Sequence, residues 1–145
     1  MMAELPSRLV EVGAFFGGGY RPVLDFHGWR VAMLRSTEVA NPDAFHRVER
    51  HRETNEVFIL TTGQADLIVC DGDAEPGEAF VTSMDLNVAY NIGQAVWHNV
   101  VMSPDAHIIL FERTDTTVDN SDYAELPPEQ IVTITARSQV GQGKG

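Results

Sequence analysis

From Trp29 onward the chain alternates short apolar runs with turn-forming residues. The runs are about four to eight residues long, rich in Val, Ile, Phe and Leu, and separated by clusters of Gly, Pro, Asn and Asp, a spacing typical of β-sandwiches and barrels. They predict eight strands: Trp29–Arg35, Ala44–His51, Glu56–Thr61, Ala65–Cys70, Phe80–Met84, Asn87–Ile92, Val96–Met102 and His107–Arg113. The pattern favours a single all-β domain with a double-sheet jelly-roll barrel.

Helical periodicity is weak, because no segment keeps it over about twelve residues. We expect few, short helices, the best candidate being a turn after Pro42 that Asn41 caps and that runs through Phe45. After the break at Pro127-Pro128, the segment Ile131–Ala136 predicts a further strand that pairs with a neighbouring protomer.

The two ends of the chain predict no regular structure. Residues 1–28 are expected to form an arm whose aromatic side chains pack on the barrel or on a partner chain. Residues 138–145 are expected to form a tail whose glycine-rich end frays. The acidic run from Asp115 to Asp122 is expected to be a solvated loop.

The composition argues against several classes of partner and of cellular location. The 145 residues include 10 Lys and Arg against 21 Asp and Glu, a formal net charge of −11. This balance argues against nucleic acids and anionic membranes as partners, because phosphate binding needs clustered basic residues. Charged residues interrupt the N-terminal segment, which predicts neither a signal peptide nor a membrane anchor. A single cysteine, Cys70, cannot form an internal disulfide, so we expect a cytoplasmic protein.

Four side chains suggest a metal site. Glu49 and His51 lie two positions apart and share one face of their strand, and Glu56 opens the next strand after a short turn. His98 lies on the same strand face as apolar neighbours. Burying this set without a cation is costly. Two imidazoles and two carboxylates suit a divalent transition metal, Fe, Mn, Ni or Zn, and the lack of thiolate argues against a structural zinc.

The same residues resemble the motifs of the cupin superfamily. The spacing His51-x4-Glu56-x6-Gly63 is similar to the second half of the first cupin motif, and Trp97-His98-Asn99 is similar to the end of the second. The resemblance implies a jelly-roll barrel in which His51, Glu56 and His98 bind a metal.

The sequence departs from the cupin pattern in two places. Glu49 stands where the first motif usually has a histidine, and Gly93 and Ala95 replace the usual proline and glycine of the second. Around His98, and in the acidic segment Tyr123–Leu126, the chain also resembles the small cupins related to ureidoglycolate lyase, an enzyme of purine breakdown.

Some assignments stay open. Glu49 ligates the metal, acts as a general base, or pairs with Arg47 or Arg50, and the whole cluster has the alternative of a hydrogen-bonded polar core. His46 is expected at the surface, because it lies on the opposite strand face from His51 unless a bulge intervenes.

A bound divalent ion would polarise a substrate oxygen and attract a substrate carboxylate. Glu49, if it stays off the metal, is placed as a general acid or base. Arg113 is a candidate to bind the substrate carboxylate, and Tyr90 to orient the substrate, with Asn99 and Gln94 as further hydrogen-bonding candidates. The prediction is an enzyme that acts on a small polar, carboxylated metabolite by lyase, isomerase or hydrolase chemistry.

Three alternatives compete with this function. They are a non-haem iron oxygenase, a non-catalytic barrel that senses or stores a ligand, and a metal-free interaction domain.

The strand that begins at Glu56 also predicts the oligomeric state. Val57 and Ile59 alternate with the inward-facing Phe58 and Leu60, so both strand faces are apolar. An outer apolar face needs a cover, which predicts a homodimer.

Overall fold

The computed structural model describes residues 5–36 and 42–142. Its strands are β1 (Gly19–Phe26), β2 (Trp29–Arg35), β3 (Arg47–His51), β4 (Glu56–Thr62), β5 (Ala65–Gly72), β6 (Pro76–Ser83), β7 (Ala89–Ile92), β8 (Trp97–Met102), β9 (His107–Arg113) and β10 (Ser121–Glu125), followed by helices α1 (Pro128–Arg137) and α2 (Gln139–Gln142). Short 3-10 turns cover Pro42–Ala44 and Val118–Asn120. No helix in this part of the chain is long and apolar enough to cross a membrane.

The strands form two five-stranded antiparallel sheets, which confirms the jelly-roll prediction. The first sheet has the order β1-β2-β9-β4-β7 and the second the order β10-β3-β8-β5-β6. Along β4 and β9 buried and partly exposed residues alternate strictly, because successive side chains of a strand point to opposite faces. The inward-facing side chains of both sheets form one core, which includes Phe58, Leu60, Leu67, Val100, Met102, Ile108 and Leu110.

A second core lies on the outer face of the second sheet. Its strands contribute Val48, Ile68, Cys70, Trp97 and Val101, and the C-terminal helices contribute Ile134 and Val140. The second sheet is therefore buried on both faces. The outer-face residues Val57 and Ile59 of the first sheet are only partly buried in the single chain, and the homodimer stays a prediction.

The strand predicted at Ile131–Ala136 is wrong, because these residues lie in α1. The β-branched run Ile-Val-Thr-Ile-Thr suggested a strand by propensity, but tertiary packing overrides that weak preference. Pro128 opens the helix and Glu129 lies in its first turn, both favourable at a helix start. Ile134 is buried against the second sheet.

The predictions for the chain ends also need correction. The arm predicted over residues 1–28 contains β1, which pairs with β2 along its length. His27 and Gly28 connect the two strands with φ values of 47° and 84°, the left-handed conformations of a type I′ hairpin turn. The segment predicted as a tail, 138–145, includes Ser138 and Val140. Both residues are buried, so the start of this segment packs against the rest of the protein.

Two further segments differ from the sequence prediction. The acidic loop predicted over 115–122 ends in β10, which pairs with β3. The helical turn expected after Pro42 is present, although its proposed cap, Asn41, lies outside the described residues. The strand predicted from Ala44 accordingly starts at Arg47.

Candidate metal centre

Two imidazoles converge on one carboxylate oxygen between the sheets. His98 Nε2 lies 3.1 Å from Glu56 Oε1, and His51 Nε2 lies 3.4 Å from the same oxygen. The two histidines come from the neighbouring strands β3 and β8, whereas Glu56 comes from β4 of the opposite sheet. Because all three positions face inward, the sandwich brings together residues that are far apart in the sequence.

Hydrogen bonds on the far side of each ring fix the tautomers. His98 Nδ1 lies 3.0 Å from the Val96 carbonyl oxygen, which only accepts, so Nδ1 carries the proton. His51 Nδ1 lies 2.8 Å from Ser121 Oγ, and the Ser121 hydroxyl donates to the Thr117 carbonyl at 2.7 Å. Ser121 Oγ therefore accepts from His51 Nδ1–H. Each ring therefore keeps a proton on Nδ1 and turns Nε2 inward, as metal-ligating histidines do. Without a metal, a proton on Nε2 bonds the imidazole to the Glu56 carboxylate.

The electrostatics of the cluster also fit a cation. Burial opposes charge on His98, but the hydrogen bond and the charge of Glu56 outweigh burial and raise the pKa of this histidine. Burial likewise opposes charge on Glu56, and its two histidine partners outweigh burial and hold its pKa well below the ordinary value. Glu56 is 5% exposed. A buried carboxylate beside two inward-facing Nε2 atoms forms a donor set in which a divalent ion can replace these protons.

Glu49 lies at the edge of this cluster. Its Oε1 is 3.9 Å from His98 Nε2, and its side chain is 38% exposed. Ligand atoms of Glu49, His51 and His98 all lie within 4.8 Å of one another. The ion pairs considered from the sequence are not formed in the described part of the chain, where Arg50 binds Asp122 instead, at 2.8 Å. Ligation and acid–base work thus remain the roles open to Glu49.

A cavity of about 480 Å³ opens beside the cluster. Residues of both sheets and of the segment before β10 line it, among them Tyr20, Arg30, Arg47, Glu49, His51, Glu56, Phe58, His98, Asn99, Glu112, Thr116 and Tyr123. The lining combines apolar side chains, such as Phe58, Val100 and Leu110, with polar and ionisable ones, a mixture typical of small-molecule sites.

Comparisons with known proteins agree with this architecture. No protein-family model matches the sequence. The curated protein ureidoglycolate lyase 2 of Rhizobium meliloti (strain 1021) is 26% identical over 105 residues, which cover 70% of this chain and 64% of that protein. The match therefore spans less than two thirds of the relative.

Solved structures show the same fold. A cupin-2 domain protein from Shewanella frigidimarina has 17% identity and a TM-score of 0.50, covering 68% of this chain and 84% of its own. The WlaRB TDP-quinovose 3,4-ketoisomerase from Campylobacter jejuni has 20% identity and a TM-score of 0.52, and the match covers 71% of this chain and 74% of that one. Streptomyces PAC13 with uridine has 9% identity and a TM-score of 0.53, and the match covers 89% of this chain and 95% of that one.

The chain has a cupin fold. The backbone conformation explains two positions of the cupin motifs, Gly63 and Ala95. Gly63 has φ of +75°, and a Cβ there would lie 2.6 Å from Ala106 Cα, so only glycine fits. Ala95, which stands where the second motif usually has glycine, keeps a left-handed backbone with φ of 61°. The departure from the motif therefore changes the residue and preserves the turn before His98.

The structure does not bring Tyr90 and Arg113 to the cupin cavity. The Tyr90 hydroxyl accepts from the Asp85 backbone N–H at 2.9 Å. Arg113 binds the Asp115 carboxylate at 2.6 Å and donates to the Glu53 carbonyl at 3.1 Å. Neither residue lines the cavity.

The remaining candidates divide between the cavity and the surface. Asn99 lines the cavity, whereas the Gln94 side chain donates to the Arg52 carbonyl. His46 belongs to both: it is half exposed and pairs with Glu125, and it also lines the cavity.

The sequence pattern did not single out Glu112, Tyr20 or Arg30, which also belong to the site. Glu112, 2% exposed, faces the cluster from β9, and its ligand atom lies within 4.8 Å of those of His51 and Glu56. Burial, followed by the charge of Glu56, raises the pKa of Glu112 to about 7. The Tyr20 hydroxyl and Arg30 both donate to Glu112 Oε1. The alternation of Ile108, Leu110 and Glu112 along β9 was the available signal, because it places a carboxylate on an apolar strand face.

Proposed function

We propose that this cupin is a metal-dependent enzyme that acts on a small, polar, carboxylated metabolite by lyase, isomerase or hydrolase chemistry. One observation carries the proposal: His51 Nε2, His98 Nε2 and Glu56 Oε1 converge next to a cavity of about 480 Å³. Two imidazoles and a carboxylate suit Fe, Mn, Ni or Zn. Such an ion, when bound, supplies positive charge that polarises a substrate oxygen.

The protein's own groups supply proton transfer and orientation. Glu49 faces the cavity, is 38% exposed, and lies across the strand pair from His98. A carboxylate in this position is within reach of both a bound substrate and water, as a general acid or base must be. With a divalent ion and the single charge of Glu56, the centre carries about +1 and attracts an anionic substrate.

The curated relative supports a specific substrate for this proposal, ureidoglycolate. Lyase chemistry on this molecule breaks the bond between its hydroxyl-bearing carbon and the ureido nitrogen. The hydroxyl loses its proton as the carbon–oxygen double bond forms, and the leaving nitrogen gains a proton, which yields glyoxylate and urea. In our proposal Glu49 takes the hydroxyl proton and returns one to the nitrogen.

The test is metal-dependent release of urea from ureidoglycolate. The protein is stripped with chelator and reloaded separately with Fe(II), Mn(II), Ni(II) and Zn(II). We expect turnover with at least one metal and none in the stripped protein. Glu49→Gln is expected to lower kcat about 100-fold while the metal content is retained.

Glu53→Gln is the matched control, because Glu53 is an exposed carboxylate nearby that does not line the cavity. It is expected to keep wild-type turnover. The proposal for this substrate fails if none of the four metals gives more urea than the free ion alone. Tight ligand binding without turnover would instead favour a sensing or storage barrel.

A further inference from the structure

Two arginines line the cavity, Arg30 and Arg47, and the guanidinium of Arg30 is bound by other groups of the protein. Arg30 donates from Nε and Nη2 to Glu112 Oε1 at 3.1 and 3.0 Å. Its two Nη atoms also donate to the backbone carbonyls of Thr114 and Thr116, at 3.1 and 3.0 Å. Its charge and most of its hydrogen-bonding capacity are therefore used inside the protein.

Arg47, the second arginine, is placed differently. It lies on β3 two positions before Glu49 and four before His51, so these side chains share the cavity face. Its guanidinium carbon lies 4.9 Å from the centroid of the Tyr123 ring, which fixes one face of the group by a cation–π contact. Its backbone carbonyl accepts from Asn99 Nδ2 at 2.7 Å, which anchors the strand.

The natural partner of Arg47 is already occupied. Glu125 is its cross-strand neighbour in β10, a position from which opposite charges normally pair. The Glu125 carboxylate instead lies 2.6 Å from His46 Nδ1. Within the described residues the Arg47 guanidinium has no ion pair or hydrogen bond, although the protein carries a net charge of −11.

We propose that Arg47, stacked on Tyr123, binds the carboxylate of the substrate at the mouth of the cavity. This inference rests on the proposed function, and it gives Arg47 the role that the sequence analysis gave to Arg113. A planar guanidinium with free N–H groups matches a carboxylate in a bidentate geometry.

The strand geometry also places the Arg47 guanidinium near the metal cluster. It stacks on Tyr123, whose cross-strand neighbour is Glu49, and Glu49 is level with His98 across the sheet. The side chain of Arg47 thus extends along β3 toward the cluster. The site therefore fits a small monocarboxylate, such as ureidoglycolate, whose reacting carbon is bonded to the carboxylate.

A pair of unreactive probes tests this assignment. Oxalurate carries the carboxylate, and oxaluramide is its neutral amide. Binding is measured by calorimetry at low ionic strength, with the wild-type protein in both metal-free and metal-loaded forms. We expect Arg47→Gln to weaken oxalurate binding about tenfold, Arg47→Lys to weaken it less, and oxaluramide to bind equally to all variants.

Arg21→Gln is the matched control. Arg21 also stacks on an aromatic ring, that of Phe15 at 4.8 Å, but it does not line the cavity. This variant is expected to bind both probes as the wild type does.

The inference is overturned if Arg47→Gln binds oxalurate as tightly as the wild type, if both probes lose affinity equally, or if the wild type does not bind oxalurate at millimolar concentration. Failure of the proposed function has a different signature. In that case urea release or metal binding is absent while the Arg47-dependent preference for oxalurate persists.

Discussion

The second sheet has a buried carboxylate near each of its faces, and the two carboxylates have opposite surroundings. On the outer face, Asp66 is 1% exposed. It accepts from the Ser83 hydroxyl at 2.9 Å, the Ser138 hydroxyl at 2.6 Å and the Val140 backbone N–H at 2.9 Å. On the inner face, Glu56 reaches across from the first sheet to two imidazoles and lies against Glu112.

These surroundings distinguish a carboxylate with a structural role, Asp66, from one with a functional role, Glu56. The partners of Asp66 are neutral donors that satisfy it and tie the C-terminal helices to the sheet. Those of Glu56 titrate or carry charge themselves, and a cavity opens beside them. A carboxylate in the second setting is arranged for a cation. Three predictions follow from this contrast, from the largest expected change in free energy to the smallest, and a fourth concerns the solvent access of the outer face.

Asp66→Ala should lower the free energy of unfolding by about 3 kcal/mol, because it removes the hydrogen bonds from the Ser83 and Ser138 hydroxyls and leaves the buried Val140 N–H without its acceptor. Metal affinity should be unchanged. Urea denaturation measures the first quantity and calorimetric metal titration the second. Asp85→Ala, at an exposed position, is the control and should change neither. A fully stable Asp66→Ala protein would contradict the structural role.

Glu56→Gln should give the reverse pattern. Metal affinity should fall at least about 100-fold, because loss of outer-sphere partners alone typically costs 10- to 100-fold. The stability of the metal-free protein should fall less than in Asp66→Ala, because the amide oxygen can still accept from a histidine Nε2–H and the variant relieves the contact of Glu56 with Glu112. Calorimetry and urea denaturation again separate the two effects. The contrast breaks down if Glu56→Gln unfolds as easily as Asp66→Ala and still binds metal.

Ser121→Ala should lower metal affinity about tenfold, because His51 Nδ1–H loses the acceptor that fixes its tautomer. Ser103→Ala, in an exposed turn where the hydroxyl binds Asp105, is the control and should bind metal as the wild type does. Equal affinities for the two variants would show that the Ser121 hydrogen bond does not orient the ligand.

The reactivity of Cys70 measures how well the C-terminal helices cover the outer face of the second sheet, where this thiol is buried. Burial, helped by the charge of Asp71, raises the pKa of the Cys70 thiol to about 11. Because a raised pKa leaves the thiol protonated until the pH approaches that value, alkylation at pH 8 should be about 200-fold slower than for a free cysteine. An iodoacetamide time course measures the rate, which should rise in Asp66→Ala. Rapid alkylation of the wild type would show that this face is open.

The sequence predicted the convergence of the inward-facing His and Glu side chains better than it predicted the chain ends. His51, Glu56 and His98 lie in strands with clear alternation, so the face of each side chain followed from its position. Tyr20 and Ser121 could not be placed in the same way, because the sequence pattern predicts an arm and a loop where the structure has β1 and β10. The helix over Pro128–Arg137 was missed because its β-branched residues favour a strand until the outer face of the second sheet is available to pack against.

Anomalous diffraction from crystals soaked in Mn(II) or Zn(II) tests the central claim most directly. The account predicts one strong peak about 2.0–2.3 Å from His51 Nε2, His98 Nε2 and a Glu56 carboxylate oxygen. A map without a peak at this cluster, with both histidines still hydrogen-bonded to Glu56, would contradict it.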